Sequence, residues 1–159
     1  SFVATLRYYM PFRQLMDEWM PKVFRFVNNA AQREFKSLPE DIQLQFGADL
    51  NAISQDETPY SAVKNIGSSV GTGAIELIEN GSPAYRCVYC VKYMDTLFIL
   101  SAFTKTTNSV DRPAMSTASG RYQEMMRIVR EEKAAAKKVA NAAIPKASGK
   151  KNRRKRWYT

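Results

Sequence analysis

Residues 84–92, AYRCVYCVK, and residues 96–105, TLFILSAFTK, are two runs dense in Val, Ile, Tyr and Phe, joined by YMD at 93–95. β-Branched and aromatic side chains fit a pleated, half-buried surface, and two such runs with a short connection spell a β-hairpin. This hairpin is expected at the centre of a small sheet. It carries Arg86 near the start of its first strand and Lys105 at the end of its second. In an antiparallel pair those ends lie side by side. Register decides whether the two cations share a face: a turn closed by two or four residues puts them together, and a three-residue loop without a bulge puts them apart.

Working backwards, AIELIE at 74–79 reads as a strand and Asn80-Gly81-Ser82-Pro83 as the turn into the hairpin. Residues 61–73 read as a Gly/Ser-rich connection. The glycines at 67, 71 and 73 do not make a phosphate-binding loop, because no Gly-Lys-Ser/Thr follows and no helix starts there. Upstream, VFRFV at 23–27 is a first strand, and Asn28 is placed to cap a short helix through Phe35. Ser37-Leu38-Pro39-Glu40 fits a capping box opening a second helix, whose stripe is Ile42, Phe46, Leu50 and Ile53. Working forwards, Arg112-Pro113 starts a long helix. Its inward stripe is Met115, Ala118, Tyr122, Met125, Met126 and Val129, and it continues through an Ala/Lys-rich run to Pro145. The order β-α-α-β-β-β-α predicts an α+β fold with a small antiparallel sheet, a helical hairpin on one face and a long C-terminal helix.

Three segments follow: residues 1–22 as an N-terminal extension, 23–129 as the domain, and 130–159 as a basic helical extension and tail. Between Pro11 and Pro21, Phe12, Leu15, Met16, Trp19 and Met20 are spaced as a short amphipathic helix, expected to pack on the body. From Arg130 onward stand eleven Lys/Arg and two acids, a balance of +9, which equals the charge of the whole chain. The body is therefore neutral, and the basic character belongs to the tail, with Arg153, Arg154 and Arg156 in its densest cluster.

Several classes fall away. No apolar run nears the roughly 20 residues needed to span a bilayer, and no signal-peptide pattern opens the chain, so a cytoplasmic location is expected. Cys87 and Cys90 have redox or metal spacing, but on a strand residues three apart face opposite sides, and two further zinc ligands are not evident. No cofactor and no metal are expected. The chain has no histidine.

These segments together resemble the RelE/HigB-like toxins of bacterial toxin–antitoxin pairs, in particular the phage-derived branch. The likeness spans roughly 23–124. It rests on SLPEDIQLQFG, on GAIEL, on AYRCVYCVKYMDTLFILSAFTKTT, and on A-x-x-R-Y-x-E at Ala118, Arg121, Tyr122 and Glu124. The resemblance implies a twisted antiparallel sheet with helices on one face and an open, concave second face that holds messenger RNA on the ribosome. It implies a partner antitoxin, often of helix-turn-helix type. It assigns Arg86, Lys105 and Glu76 to catalysis. Arg121, Arg112, Lys92 and Tyr89, with the tail arginines, are candidate RNA contacts. Three positions depart from the pattern, each removing a cation: Thr106 for a second Lys, Asn108-Ser109 for Gln-Lys, and Ile78 for Arg.

The chemistry implied is attack of a ribose 2′-OH on the adjacent phosphate. It requires a base, cations for the phosphorane and an acid for the leaving oxygen. Without histidine, Lys105 or Glu76 must act as base, with Arg86 as phosphate clamp. Two functions follow: a ribosome-dependent mRNA endonuclease toxin, or a binding protein on the same scaffold with little or no nuclease activity. The second docks a host protein, ribosome or nucleic acid through its domain and basic tail.

Overall fold

The computed structural model describes residues 22–91, 93 and 95–145. The expected hairpin is there. β4 (Ala84–Cys90) and β5 (Thr96–Lys105) pair antiparallel, with Ala84 opposite Lys105 and Cys90 opposite Phe98. β3 (Ala74–Glu79) pairs antiparallel with β4. β1 (Val23–Phe26) lies on the outer side of β5 and runs parallel to it, so the five-stranded sheet is mixed, in the order β1-β5-β4-β3-β2. Within the connection expected at 61–73 lies one further strand, β2 (Ala62–Asn65), paired antiparallel with β3. All four of its residues are exposed, so it lacks the apolar alternation that would announce a strand.

Among the described residues three helices cover the sheet: α1 (Asn29–Lys36), α2 (Glu40–Ser54) and α3 (Arg112–Ala143). Ile42, Phe46, Leu50 and Ile53 of α2 pack on Leu77, Cys87, Tyr89, Leu97, Ile99 and Ala102. The opposite face is not open, contrary to what the resemblance implied. There Ala118, Tyr122, Met125 and Val129 of α3 bury Val88, Cys90, Phe98 and Leu100. The physical reason is the apolar stripe of α3: burying each large side chain of this kind is worth about 1.5–3 kcal/mol, so the stripe does not stay in water beside an apolar sheet. Cys87 and Cys90 are both buried, form no disulfide and lie on opposite faces.

Helix starts follow their side chains. Asn28 Oδ1 accepts from the Ala31 amide at 2.8 Å, and Asp111 Oδ1 accepts from Ala114 at 3.0 Å. The capping box at Ser37 does not form. Ser37 Oγ donates to Arg33 O and closes α1 instead, while α2 starts after Pro39 with Glu40 and Asp41 in its positive first turn.

The A-x-x-R-Y-x-E segment is the means by which α3 docks. Ala118 is buried. Arg121 forms an ion pair with Glu34 and donates to Leu100 O at 3.0 Å. Tyr122 donates to Thr72 O at 2.8 Å, and Glu124 accepts from Asn28 Nδ2 at 2.9 Å. Gly71 makes the Tyr122 seat, because a Cβ there would overlap the ring. The amphipathic segment between Pro11 and Pro21 and the basic residues 146–159 lie outside the described residues.

Candidate functional site

Four strands build the site on the α3 face, beyond the start of that helix. Lys64 of β2 stands opposite Glu76 of β3, and Arg86 of β4 is the diagonal neighbour of Glu76, opposite Ile78. Whether Lys105 joins them depends on one residue. A register shift between Val88 and Tyr89 of β4 leaves Leu100 of β5 unpaired, so Tyr89 faces Ile99 while Val88 faces Ser101. That bulge changes the parity of the second half of β5. Arg86 lies opposite Phe103, and Lys105, two residues on, projects from the same face. The Leu100 carbonyl is the one that Arg121 binds, so a motif residue of α3 holds the bulge that brings the two cations together.

Glu76 and Arg86 are both nearly sealed, at 7% and 6% exposure, with Arg86 Nε 3.5 Å from Glu76 Oε1. The other donors of Arg86 turn away from Glu76. Nη1 donates to the carbonyls of Tyr85 (2.9 Å) and Glu79 (3.2 Å), and Nη2 donates to Asn80 Oδ1 (2.9 Å). Arg86 therefore ties down the β3–β4 turn and presents only its inner nitrogen to the carboxylate.

Two polar clefts meet at Lys105. One, of about 300 Å³, is lined by Lys64, Ser68, Ser69, Glu76, Lys105 and Asp111. The other, of about 470 Å³, lies between the β3–β4 turn and the residues leaving β5, with Asn80, Ser82, Arg86, Lys105, Thr107 and Asn108 on its walls. Burial raises the pKa of Glu76 above the ordinary carboxylate value, against the opposing pull of Arg86, Lys105 and Lys64 and with a further push from Asp111. A carboxylate held this way is a stronger base than a solvated one, with ammonium groups at hand for a developing negative charge.

The remaining sequence candidates fall elsewhere. Arg121 is engaged by Glu34 and the bulge carbonyl. Tyr89 lies on the α2 face, 3% exposed, with burial pushing its phenol up to about 12. Arg112 is exposed at the first turn of α3. Lys92, Arg153, Arg154 and Arg156 lie outside the described residues. Sequence reasoning missed Lys64, Ser68, Ser69 and Asp111. Lys64 had a signal: it is two residues before the buried Ile66, the spacing of one strand face, but the stretch read as loop. Among the described residues no group of His, Cys, Asp or Glu could hold a metal ion, and no helix is long and apolar enough to cross a membrane.

A five-stranded sheet with two helical layers and a charged cleft at one end defines a small α+β domain consistent with the RelE-like fold. The chain belongs to the family of phage-derived, Gp49-like proteins (DUF891), whose sequence pattern matches residues 33–123. No curated protein and no solved structure matches it. The matched span runs from α1 into α3 and contains every described residue of both clefts. β1 and the far half of α3 lie outside it.

Proposed function

We propose that this protein is the toxin of a type II toxin–antitoxin pair and cleaves messenger RNA on the ribosome. The reading is supported by the phage-derived family, which is related to the RelE/HigB-like toxins, and by the cleft. One observation carries it: a nearly sealed carboxylate, Glu76, lines a polar cleft together with two lysines, in a chain that has no histidine to act as base. In this scheme Glu76 takes the proton of a ribose 2′-OH, the O2′–P bond forms and the P–O5′ bond breaks. The products are a cyclic phosphate and a 5′-hydroxyl end. Lys105 faces the phosphorane charge and returns a proton to the leaving oxygen, and Lys64 adds a second positive charge. Arg86 orients Glu76 rather than clamping phosphate, since its outer donors are spent on the turn. Translation as target implies action in the cytoplasm, and a helix-turn-helix antitoxin is the expected inhibitor.

The test is induction of the wild type, Glu76→Gln and Lys105→Ala, with growth followed and transcript 5′ ends mapped. Ribosome-aligned cleavage giving 5′-hydroxyl ends from the wild type alone is the expected result. Cleavage that persists in both variants removes these residues from the mechanism. A second reading is a non-catalytic binding protein on the same scaffold, docking a host protein, ribosome or nucleic acid. The observation favouring it is the same engagement of Arg86, which leaves fewer free cations for RNA than the resemblance implied. A wild type that neither slows growth nor cuts transcripts decides for it.

A further inference from the structure

We propose that the outer edge of β5 beyond Ile99, together with the exposed side of α1, is a docking groove in which an extended, acidic segment of another protein joins the sheet as an added strand. β1 pairs with residues 96–99 alone, whereas β5 runs on to Lys105. Among the described residues no strand flanks residues 100–105 on that side. Which groups stand on this open edge follows from the pairing. Val23 and Val27 donate their amides to Asp95 O (3.2 Å) and Ile99 O (3.1 Å). Asp95, Leu97 and Ile99 therefore turn their peptide groups toward β1, and Phe98 turns its own toward β4. Phe98 pairs with Cys90, which thus faces β5, as do Val88, Arg86 and Ala84 in alternation. Their partners Ser101, Phe103 and Lys105 direct their peptide groups to β4. Ala102 and Thr104 are left with N–H and C=O aimed outward. Leu100 O, at the head of this stretch, is already bound by Arg121 at 3.0 Å. An edge with unpaired main-chain groups is a template for another strand.

α1 supplies the second wall. Ala30, Arg33, Glu34 and Ser37 share one side of it, three and four residues apart, and with Ala102 and Thr104 they border a groove of about 520 Å³. An edge strand beside a helix is a frame for strand addition: main-chain bonds hold the incoming segment, and the walls read its side chains. Charge selects the occupant. Glu34 is paired with Arg121, while Arg33 is exposed and forms no ion pair among the described residues. The groove thus presents a guanidinium without a counter-charge, which suits a carboxylate. The chain's own strand edges offer none: VFRF of β1, AVKN of β2 and residues 100–105 hold no acid. Neither do residues 1–16 or 133–159. A second copy adding β2 would bring Lys64 to a groove that already holds Arg33. The Glu34 carboxylate and the apolar Ala30 and Ala102 on the walls disfavour a nucleic-acid backbone. What remains is an acidic strand from a different protein.

The experiment pans a displayed library of short random peptides against the full chain, then measures the enriched peptides on the wild type, Arg33→Glu and Thr104→Pro. Arg33→Glu reverses the charge of the groove. Thr104→Pro removes the outward amide without touching a bond to β4, the edge setting in which a strand accepts proline. Both positions are exposed, and far-UV circular dichroism with the urea midpoint checks that each variant folds. Enriched peptides are expected to carry an acid in an extended, alternating pattern and to slow amide exchange at Ala102 and Thr104 of the wild type. Each variant is expected to bind them more weakly by about tenfold or more, the loss of one hydrogen bond to a charged group or to the main chain. Should Thr104→Pro unfold, Arg33→Glu and the exchange of the two wild-type amides still decide. A library that yields no binder overturns the proposal, as do enriched peptides without an acid, binding indifferent to Arg33→Glu, or protection confined to other parts of the molecule. Protection of the same two amides by the chain alone, growing with its concentration, overturns it by making a second copy the occupant. Protection by a single-stranded RNA oligonucleotide does so by making the occupant a nucleic acid.

Discussion

Replacing Arg86 by Ala and Glu76 by Gln, singly and together, tests whether the buried pair is held for stability or for chemistry. Arg86→Ala removes the cation beside a nearly sealed carboxylate and strips donors from the carbonyls of Glu79 and Tyr85 and from Asn80. Breaking a buried pair on one side costs about 3–5 kcal/mol. Glu76→Gln keeps the shape and leaves an amide oxygen for Arg86 Nε. Burial outweighs the pull of Arg86 on Glu76, so the neutral side chain is expected to cost about 1 kcal/mol or less. The double variant no longer strands an anion and should recover about 1–3 kcal/mol relative to Arg86→Ala alone. Urea unfolding at neutral pH reads these differences. With slopes of about 1–3 kcal/mol per molar, Arg86→Ala moves the midpoint by roughly 1 M or more. The pH dependence has a definite sign. A carboxyl whose folded pKa lies above the unfolded value of 4.5 holds its proton longer in the native state. Wild-type stability therefore falls as pH rises from 4.5 through the folded pKa, and Glu76→Gln removes that slope. A double variant as unstable as the two single losses summed, or a pH slope that survives Glu76→Gln, refutes the reasoning.

Three further outcomes follow from the packing. Gly71→Ala forces a methyl into the Tyr122 ring and should cost about 1–3 kcal/mol, with Tyr122→Ala relieving part of the loss in the same urea titration. Arg121→Ala removes both the ion pair to Glu34 and the donor on the Leu100 carbonyl, for about 2–3 kcal/mol, and amide exchange should quicken at the β4–β5 bulge before it does in α2. Cys87 and Cys90 should ignore an aromatic disulfide reagent until the chain unfolds. Both are buried, and burial pushes the Cys87 thiol well above its ordinary range; modification of the native protein at the rate of free cysteine would contradict this.

Most of the fold was legible because its signals are repetitive. The hairpin, the strand at 74–79, the Ile42-Phe46-Leu50-Ile53 stripe and the α3 stripe each rest on several apolar residues in one period, and all four stand where the periods put them. What escaped was carried by single residues or by exposed backbone. β2 is a short edge whose four residues face water. β1 runs parallel to β5, a direction that no residue of VFRFV encodes. Ser37 chose the end of one helix over the start of the next, because the Arg33 carbonyl lies one turn behind it. The closed second face was written in the Met and Tyr stripe of α3, which outweighs the open face that the resemblance implied.

The candidate site follows the same division. Glu76, Arg86 and Lys105 were legible as residues, but their meeting was not, because it turns on where β5 takes its extra residue. A strand with Leu100 in register would pair Arg86 with Ala102 and send Lys105 to the opposite face, away from Glu76. The bulge therefore does for the cleft what no substitution on its walls could do. It is held in place from a distance by Arg121, whose partners are Glu34 and a main-chain oxygen. An arginine read from the sequence as an RNA contact can thus bear on the site without reaching it. Arg121→Lys keeps the charge yet loses the planar fork that serves Glu34 and Leu100 O at once. It should shift Lys105 relative to Glu76 and lower any activity of the cleft, with the basic surface unchanged. Arg112→Lys, at an exposed position, should lower nothing.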